Sequence, residues 1–429
     1  MKLILSFIFS FIIIVMIGSV SVIKDIIHKK KMGYPLEKSE LEEAFLGYLK
    51  GEVADYQMSS LLMAICIQGM NMEEVYLLTD LFLKSGDILD FSNIPGIKVD
   101  KHSTGGVGDK TTLVVVPIVA SCGVPVVKMS GRALGYTGGT VDKLESIPGY
   151  RTELSGEEIT RQVSEIGAVM IGQTKDLCPL DKKIYALRDV SGTTDSIPLI
   201  AASIMSKKIA GGADKILIDI KVGSGAFMKT RKDALTLSRM MIELGKRYGK
   251  ETRTIISDMN VPLGRAVGNS LEVREALEIL LGREKGTLLE LCVELATEMV
   301  SMGKNISKER AKRLVEESIA SKRAYQKLLD IIAYQGGKIE DLPISSNVLT
   351  ITSSFSGVVE EIDALEVAKL SCQLGSGRMT KEDQIDPSVG VLLDVNLHTR
   401  IKKGDPLFRL YLKENDPKKY DITKIIKIH

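Results

Sequence analysis

Lys101-His102-Ser103-Thr104-Gly105-Gly106-Val107-Gly108-Asp109-Lys110 is the stretch from which the rest of the chain can be read. A cation, hydroxyls and a cluster of glycines stand where an apolar segment meets the next element. Glycine lets a backbone approach an oxyanion closely and presents N–H donors with no side chain in the way. Lys101 adds a point charge and Ser103 a neutral donor, and two residues apart on an extended segment they share a side. The combination reads as a phosphate cradle. It is not a Walker A loop, because the order G-x-x-x-x-G-K-[ST] is absent. The segment that follows, 111–120, has the composition of a strand, yet a Gly-rich loop directly ahead of it suits a helix N-terminus facing an anion.

The 429 residues are 44% hydrophobic, which allows a large core and two or three domains. Lys and Arg number 57 against 55 Asp and Glu, so the net charge is only +2 and any anion site is local. That balance excludes a general nucleic-acid footprint, and the absence of Trp with 5% aromatics argues against stacking platforms for single strands. The five cysteines (Cys66, Cys122, Cys178, Cys292, Cys372) are scattered without CxxC spacing. They read as reduced thiols of a cytosolic protein rather than a disulfide framework or zinc site. The apolar run 3–17 has the pattern of a signal-peptide core or short anchor, without an A-x-A-like cleavage site. A wrongly assigned upstream start codon is the preferred reading of residues 1–21, a genuine targeting segment the alternative, and membrane association follows only if that segment is retained.

A second segment is longer: Ser130-Gly131-Arg132-Ala133-Leu134-Gly135-Tyr136-Thr137-Gly138-Gly139-Thr140-Val141-Asp142-Lys143-Leu144-Glu145. It resembles the signature of the thymidine and pyrimidine-nucleoside phosphorylases, and the first loop resembles that family's KHSTGGVGDK. Tyr185-Ala186-Leu187-Arg188-Asp189 and Ser203-Ile204-Met205-Ser206-Lys207-Lys208 extend the resemblance, which runs from about Val22 to about Leu412. Tyr136 is a departure, since the family commonly has histidine there; it puts any role for a histidine at that position in doubt.

Residues 22–86 read as helices with short connections. Ser39 with Glu42 and Asn71 with Glu74 have capping-box spacing ahead of apolar stripes. From about Ile97, short apolar runs (124–129, 168–171, 216–222, 254–257) alternate with amphipathic stretches such as 156–166 and 231–248. That alternation predicts an α/β fold with a mostly parallel sheet. After about Ser345 the pattern is short strands and turns. The resemblance makes 111–120 a helix and returns about 179–210 to the helical domain. The expected organisation is a small helical domain (22–86 plus about 179–210), a phosphate-binding α/β domain (about 87–178 plus 211–344) and a C-terminal β-rich domain (345–429). The last is similar to a barrel-sandwich carrier domain, but no carrier-type Met-Lys-Met turn is present, so it reads as structural.

The phosphate candidates are Lys101, His102, Ser103, Thr112, Lys128, Met129, Ser130 and Thr140. For the base, the resemblance implies Tyr185, Arg188, Ser203 and Lys207, with Arg188 and Lys207 donating to the pyrimidine carbonyl oxygens. Lys182 and Lys208 read as solvated charges. His102 either protonates the departing base or only orders the loop; with Arg188 and Lys207 it completes the catalytic candidates. The resemblance also implies a monovalent cation such as K⁺, or a calcium-like ion, held by Gly108, Lys110 through its carbonyl, Leu263, Ala266 and Glu275. No organic cofactor is expected.

The expected activity is reversible phosphorolysis of uridine, thymidine and deoxyuridine in nucleoside salvage. The alternatives are a thymidine-restricted phosphorylase, an anthranilate-type phosphoribosyltransferase of the same general fold, and a membrane-anchored nucleoside-binding protein. Leu61, Leu62, Ile65 and Leu81 exceed what one short helical layer buries, which predicts a homodimer through the helical unit.

Overall fold

The computed structural model describes residues 22–132, 138–174, 176–378, 383–413, 420 and 424–429. The apolar run 3–17 and Tyr136 lie outside the described residues. In chain order the helices are α1 (Ile23–Lys31), α2 (Lys38–Lys50), α3 (Asp55–Gln68), α4 (Met72–Lys84), α5 (Thr111–Ser121), α6 (Thr140–Glu145), α7 (Gly156–Ile166), α8 (Pro179–Ser191), α9 (Ile197–Ala210), α10 (Arg231–Arg247), α11 (Asn269–Leu280), α12 (Thr287–Lys304), α13 (Lys308–Ala320), α14 (Arg323–Tyr334) and α15 (Ala364–Ser371). The strands are β1 (Val99–Ser103), β2 (Val126–Ser130), β3 (Ala168–Gly172), β4 (Lys215–Val222), β5 (Glu251–Asp258), β6 (Ala266–Val267), β7 (Val348–Thr352), β8 (Gly357–Ile362), β9 (Gly390–Leu393), β10 (Arg400–Ile401), β11 (Pro406–Tyr411) and β12 (Ile426–Ile428).

Two compact units result, one of residues up to Ser85 with Pro179–Ser203, the other of Gly86–Cys178 with Ile204–His429. The first is helical. Its α4 begins as the sequence predicts: the Asn71 side chain accepts from the Glu74 N–H, and Glu74 returns to the Asn71 N–H. Glu74 also takes the Lys30 ammonium at 2.7 Å and the Leu36 N–H, so one buried carboxylate ties α1, the α1–α2 connection and α4 together. The start expected at Ser39 is corrected, because α2 begins earlier. Glu40 reaches back to the Glu37 N–H at 2.7 Å, which leaves Ser39 inside the first turn. Phe45 and Phe82 meet edge-to-face in the core of this unit.

The residues expected at a subunit interface are corrected as well. Leu61, Leu62, Ile65 and Leu81 are buried within the chain itself. The large apolar side chains that α3 leaves exposed are Tyr56, Met63 and Ile67.

In the second unit β1, β4 and β5 form a parallel sheet in the order β1-β4-β5, and β2 pairs with β3, also in parallel. Both faces of these strands are buried, one face of β4 being apolar (Ile216, Ile218, Ile220) and the other carrying the charges Asp219 and Lys221. The segment of strand-like composition, 111–120, is the helix α5, almost wholly buried. C-terminal strands form antiparallel sheets in the orders β6-β9-β11-β7 and β10-β8-β12. Because β6 comes from residue 266 onward, the C-terminal strands are hydrogen-bonded into the α/β region rather than standing apart.

Candidate functional site

β1 ends in the cradle loop, and its register sets His102 beside Ile218 and Ser103 beside Asp219 of β4. Lys101 is buried; its ammonium donates to the Thr111 hydroxyl at 2.5 Å and stands 3.7 Å from Asp219. Asp219 is also paired with Lys221 at 2.6 Å and accepts from the Ser257 hydroxyl. The Thr111 hydroxyl in turn donates to Asp109 at 2.6 Å. Burial alone would raise the Asp109 carboxyl, but Lys101 and Lys221, with the Ser103 and Thr111 hydroxyls, hold it well below the carboxylate range. The cradle is thus a network of fixed, buried charges at the N-terminus of α5, where Thr112 also lies buried. A Cβ at Gly106 would stand 2.4 Å from the Met259 methyl, so a side chain there would displace Met259.

A second cluster faces β1 from β2 and the end of α9. Asp100 is shared by two ammonium groups, Lys208 at 2.5 Å and Lys128 at 3.7 Å. The Met129 carbonyl accepts from both lysines, at 2.9 Å from Lys128 and 3.3 Å from Lys208. Met129 therefore contributes its backbone, not its thioether. Burial and the neighbouring Lys208 outweigh Asp100 and push Lys128 down to about 7. The same surroundings act on His102. Burial first, then Lys208, Lys128, Lys207 and Lys101, lower its imidazole well below the usual histidine range. His102 is accordingly neutral at pH 7 in the unliganded protein. Ser130 closes the cluster with a buried hydroxyl that has no hydrogen-bond partner among the described residues. The reading of Lys208 as a solvated charge is corrected: it is buried, because Asp100 lies across from it. Lys182 is exposed.

Thr140 opens α6, whose Lys143 is fully buried. Lys143 donates to the carbonyls of Asp109 and Gly138 and pairs with Glu272 at 3.1 Å, which pins the signature segment to the cradle loop.

In the helical unit Arg188 is buried. Its Nε, Nη1 and Nη2 donate to the carbonyls of Thr193, Leu199 and Thr194 at 3.0, 3.3 and 2.9 Å. The guanidinium also lies 5.6 Å from the Tyr185 ring centre. In this geometry the arginine shapes the turn between α8 and α9. Ser203 is buried on α9, and Lys207, half-buried, follows one turn later.

The oxygens expected around a cation do converge: the carbonyls of Leu263 and Ala266 and the Glu275 carboxylate. What stands among them is the Lys110 ammonium, not its carbonyl, at 2.6, 2.9 and 2.7 Å respectively. Gly108 borders the same place at φ +68°, where a Cβ would meet the Leu263 carbonyl oxygen at 2.8 Å. With the Lys110 ammonium in that position, the three oxygens already have a buried positive charge among them.

Sequence reasoning passed over Asp100, Thr111, Lys143, Asp219 and Lys221. The signal for Asp219 and Lys221 was present: opposite charges two apart in the otherwise apolar run Ile216-Leu217-Ile218-Asp219-Ile220-Lys221-Val222 place both on one face of a strand.

The parallel α/β layer, its Gly-rich loop and the buried charges around it fall within a region that matches a glycosyl-transfer family. Residues 96–325 match the glycosyl transferase family a/b domain, 24–86 its helical bundle domain, and 358–427 the pyrimidine nucleoside phosphorylase C-terminal domain. The chain is 50% identical over 394 residues to a pyrimidine-nucleoside phosphorylase of Staphylococcus haemolyticus, covering 90% of this chain and 91% of the relative. It is 48% identical over 394 residues to that of Geobacillus stearothermophilus, with the same coverage of 90% and 91%. A solved anthranilate phosphoribosyltransferase of Thermus thermophilus matches with TM-score 0.56 at 19% identity, covering 72% of this chain and 99% of that one, which shows a shared fold. The chain belongs to the pyrimidine-nucleoside phosphorylase family.

Proposed function

We propose that this chain catalyses the reversible phosphorolysis of pyrimidine nucleosides, uridine, thymidine and deoxyuridine, to the free base and (deoxy)ribose 1-phosphate. The observation that carries the reading is the uncompensated positive charge around Ser130: Lys128 and Lys208 share one carboxylate, Lys128 is pushed down to about 7, and a buried hydroxyl has no partner among the described residues. Such a cluster is completed by an oxyanion. Phosphate bound there restores the proton to Lys128 and raises His102. A phosphate oxygen then forms the bond to the anomeric carbon as the carbon–nitrogen bond breaks and its electron pair leaves with the base. His102, charged only once phosphate is present, protonates a carbonyl oxygen of the departing base. Arg188, Lys207, Ser203 and Tyr185 are assigned to hold that base, with Lys101, Ser103, Thr112 and Thr140 on the phosphate side.

Acceptance of uridine rests on Lys128, an ammonium able to donate to a 2′-hydroxyl. Lys128→Met is expected to reduce activity on uridine more than on thymidine. Equal loss would leave Lys128 serving phosphate alone.

Homodimerisation through α3 is supported by the exposed Tyr56, Met63 and Ile67, which fall on one side of the helix. A cytosolic location is supported by the absence of any disulfide among the cysteines. Among the described residues no helix is long and apolar enough to cross a membrane.

The deciding experiment incubates purified protein with uridine, with and without inorganic phosphate. Uracil released only with phosphate is the expected result. No release, with anthranilate and phosphoribosyl pyrophosphate consumed instead, would overturn the assignment.

A further inference from the structure

We infer that the Lys110 side chain is a tethered replacement for a monovalent cation, so that this protein holds its cradle loop in place with no potassium or calcium ion.

An ammonium has three protons, and here each meets an oxygen: Leu263 O, Ala266 O and Glu275 Oε2, at 2.6, 2.9 and 2.7 Å. The Glu275 carboxylate is completed by two backbone donors, the N–H groups of Arg265 at 2.7 Å and Ala266 at 2.9 Å. All three ammonium protons are used, and the carboxylate accepts three donors in all. The Lys110 side chain is fully buried and that of Glu275 nearly so. An ammonium and a potassium ion carry the same charge and are of similar size, so oxygens arranged for one suit the other. Calcium is a poorer match, since it takes six to eight oxygen ligands.

The placement has a mechanical result. Lys110 directly precedes α5, whose first residue, Thr111, holds Lys101. Leu263 is tied back to the loop a second time, through its N–H to the Val107 carbonyl at 2.9 Å. The ammonium therefore couples the Gly-rich loop and the start of α5 to the 263–275 segment. An exchangeable ion would make that coupling depend on salt composition; a covalently attached charge makes it permanent. Lys110 is a positioning residue in this scheme, and it touches no reacting atom. The inference does not depend on which nucleoside is cleaved.

The test compares the wild-type protein with Lys110→Thr, each dialysed into choline chloride at fixed ionic strength. Thermal unfolding is followed as potassium, ammonium or sodium replaces choline. The wild type is expected to keep its Tm within about 1 °C throughout, because no site remains to bind. Lys110→Thr is expected to melt lower in choline and to regain about 2–5 °C, saturably, on addition of potassium or ammonium. A saturable rise of the wild-type Tm with potassium would overturn the inference. So would a Lys110→Thr protein that responds to none of these ions. If the variant is not recovered folded, the wild-type titration decides alone: a flat Tm supports the tethered charge, and a potassium-dependent one refutes it. Uracil release measured in parallel separates this result from a failure of the proposed activity.

Discussion

Two lysine clusters in the same α/β unit make opposite use of buried charge. Around Lys110, three protons meet three oxygens and the carboxylate is filled by backbone donors, so the cluster is closed. Around Lys128, two ammonium groups share one carboxylate and one carbonyl, and both Asp100 Oδ1 and the Ser130 hydroxyl lack a hydrogen-bond partner among the described residues. The first arrangement is complete without a ligand and fixes backbone. The second is incomplete and invites an anion. Lysine content is the same kind of signal in both, and what separates them is whether the buried polar groups are paired. Unequal counts of donors and acceptors in a buried site mark the place where something else binds.

The contrast is broken most severely at Lys110. Lys110→Met strands the Glu275 carboxylate away from its cation, and in choline buffer global stability is expected to fall by about 3–5 kcal/mol, measured by urea unfolding. At Lys128 the same substitution is expected to leave stability unchanged or slightly raised, because it removes one of two like charges. Its effect falls on phosphate, whose KM is expected to rise about 10–100-fold, as for a lost hydrogen bond from a charged donor. If Lys128→Met instead unfolds the protein, the cluster is structural and the contrast disappears. Ser130→Ala sharpens the point further. Removing a hydroxyl that lacks a partner is expected to change stability by no more than about 0.5 kcal/mol, while phosphate affinity falls about 3–10-fold.

The smallest effect is on His102. Its folded-state pKa lies below the unfolded value, so the unfolded chain binds a proton first as the pH drops. The stability this represents is full above about pH 6.5 and is lost progressively as the pH falls towards the folded value. His102→Gln is expected to soften the acid limb of the stability curve. Ring resonances that titrate at or above the ordinary histidine value in the unliganded protein would contradict the account.

Legibility in the sequence followed the range of the interactions. The start of α4 at Asn71 and Glu74, and the helix 156–166, were readable because their signals lie within a few residues. The start of α2 lies earlier than Ser39 and Glu42 imply, because Glu40 closes on the Glu37 N–H. The strand β1 carries Asp100, Lys101 and His102 in five residues and has no strand-like texture. Its charges are buried because their partners arrive from Asp219 and Lys208, more than a hundred positions away. The same distance hid Lys208. The cradle residues Lys101, Ser103 and Ser130 were visible as motif. That Leu263, Ala266 and Glu275 gather at Lys110 was implied by the resemblance; that the ammonium meets them was not, because a carbonyl and an ammonium on one residue predict different contents for the same place.

Proton uptake on phosphate binding tests the central claim most directly. At about pH 8.5 the free phosphate is already a dianion and Lys128, lowered to about 7, is mostly neutral. Calorimetric titration in buffers of different ionisation enthalpy is expected to show proton uptake on phosphate binding that falls by close to one proton in Lys128→Met. Phosphate that binds without proton uptake, or with the same uptake in Lys128→Met, would contradict the assignment of the open lysine cluster as the phosphate site.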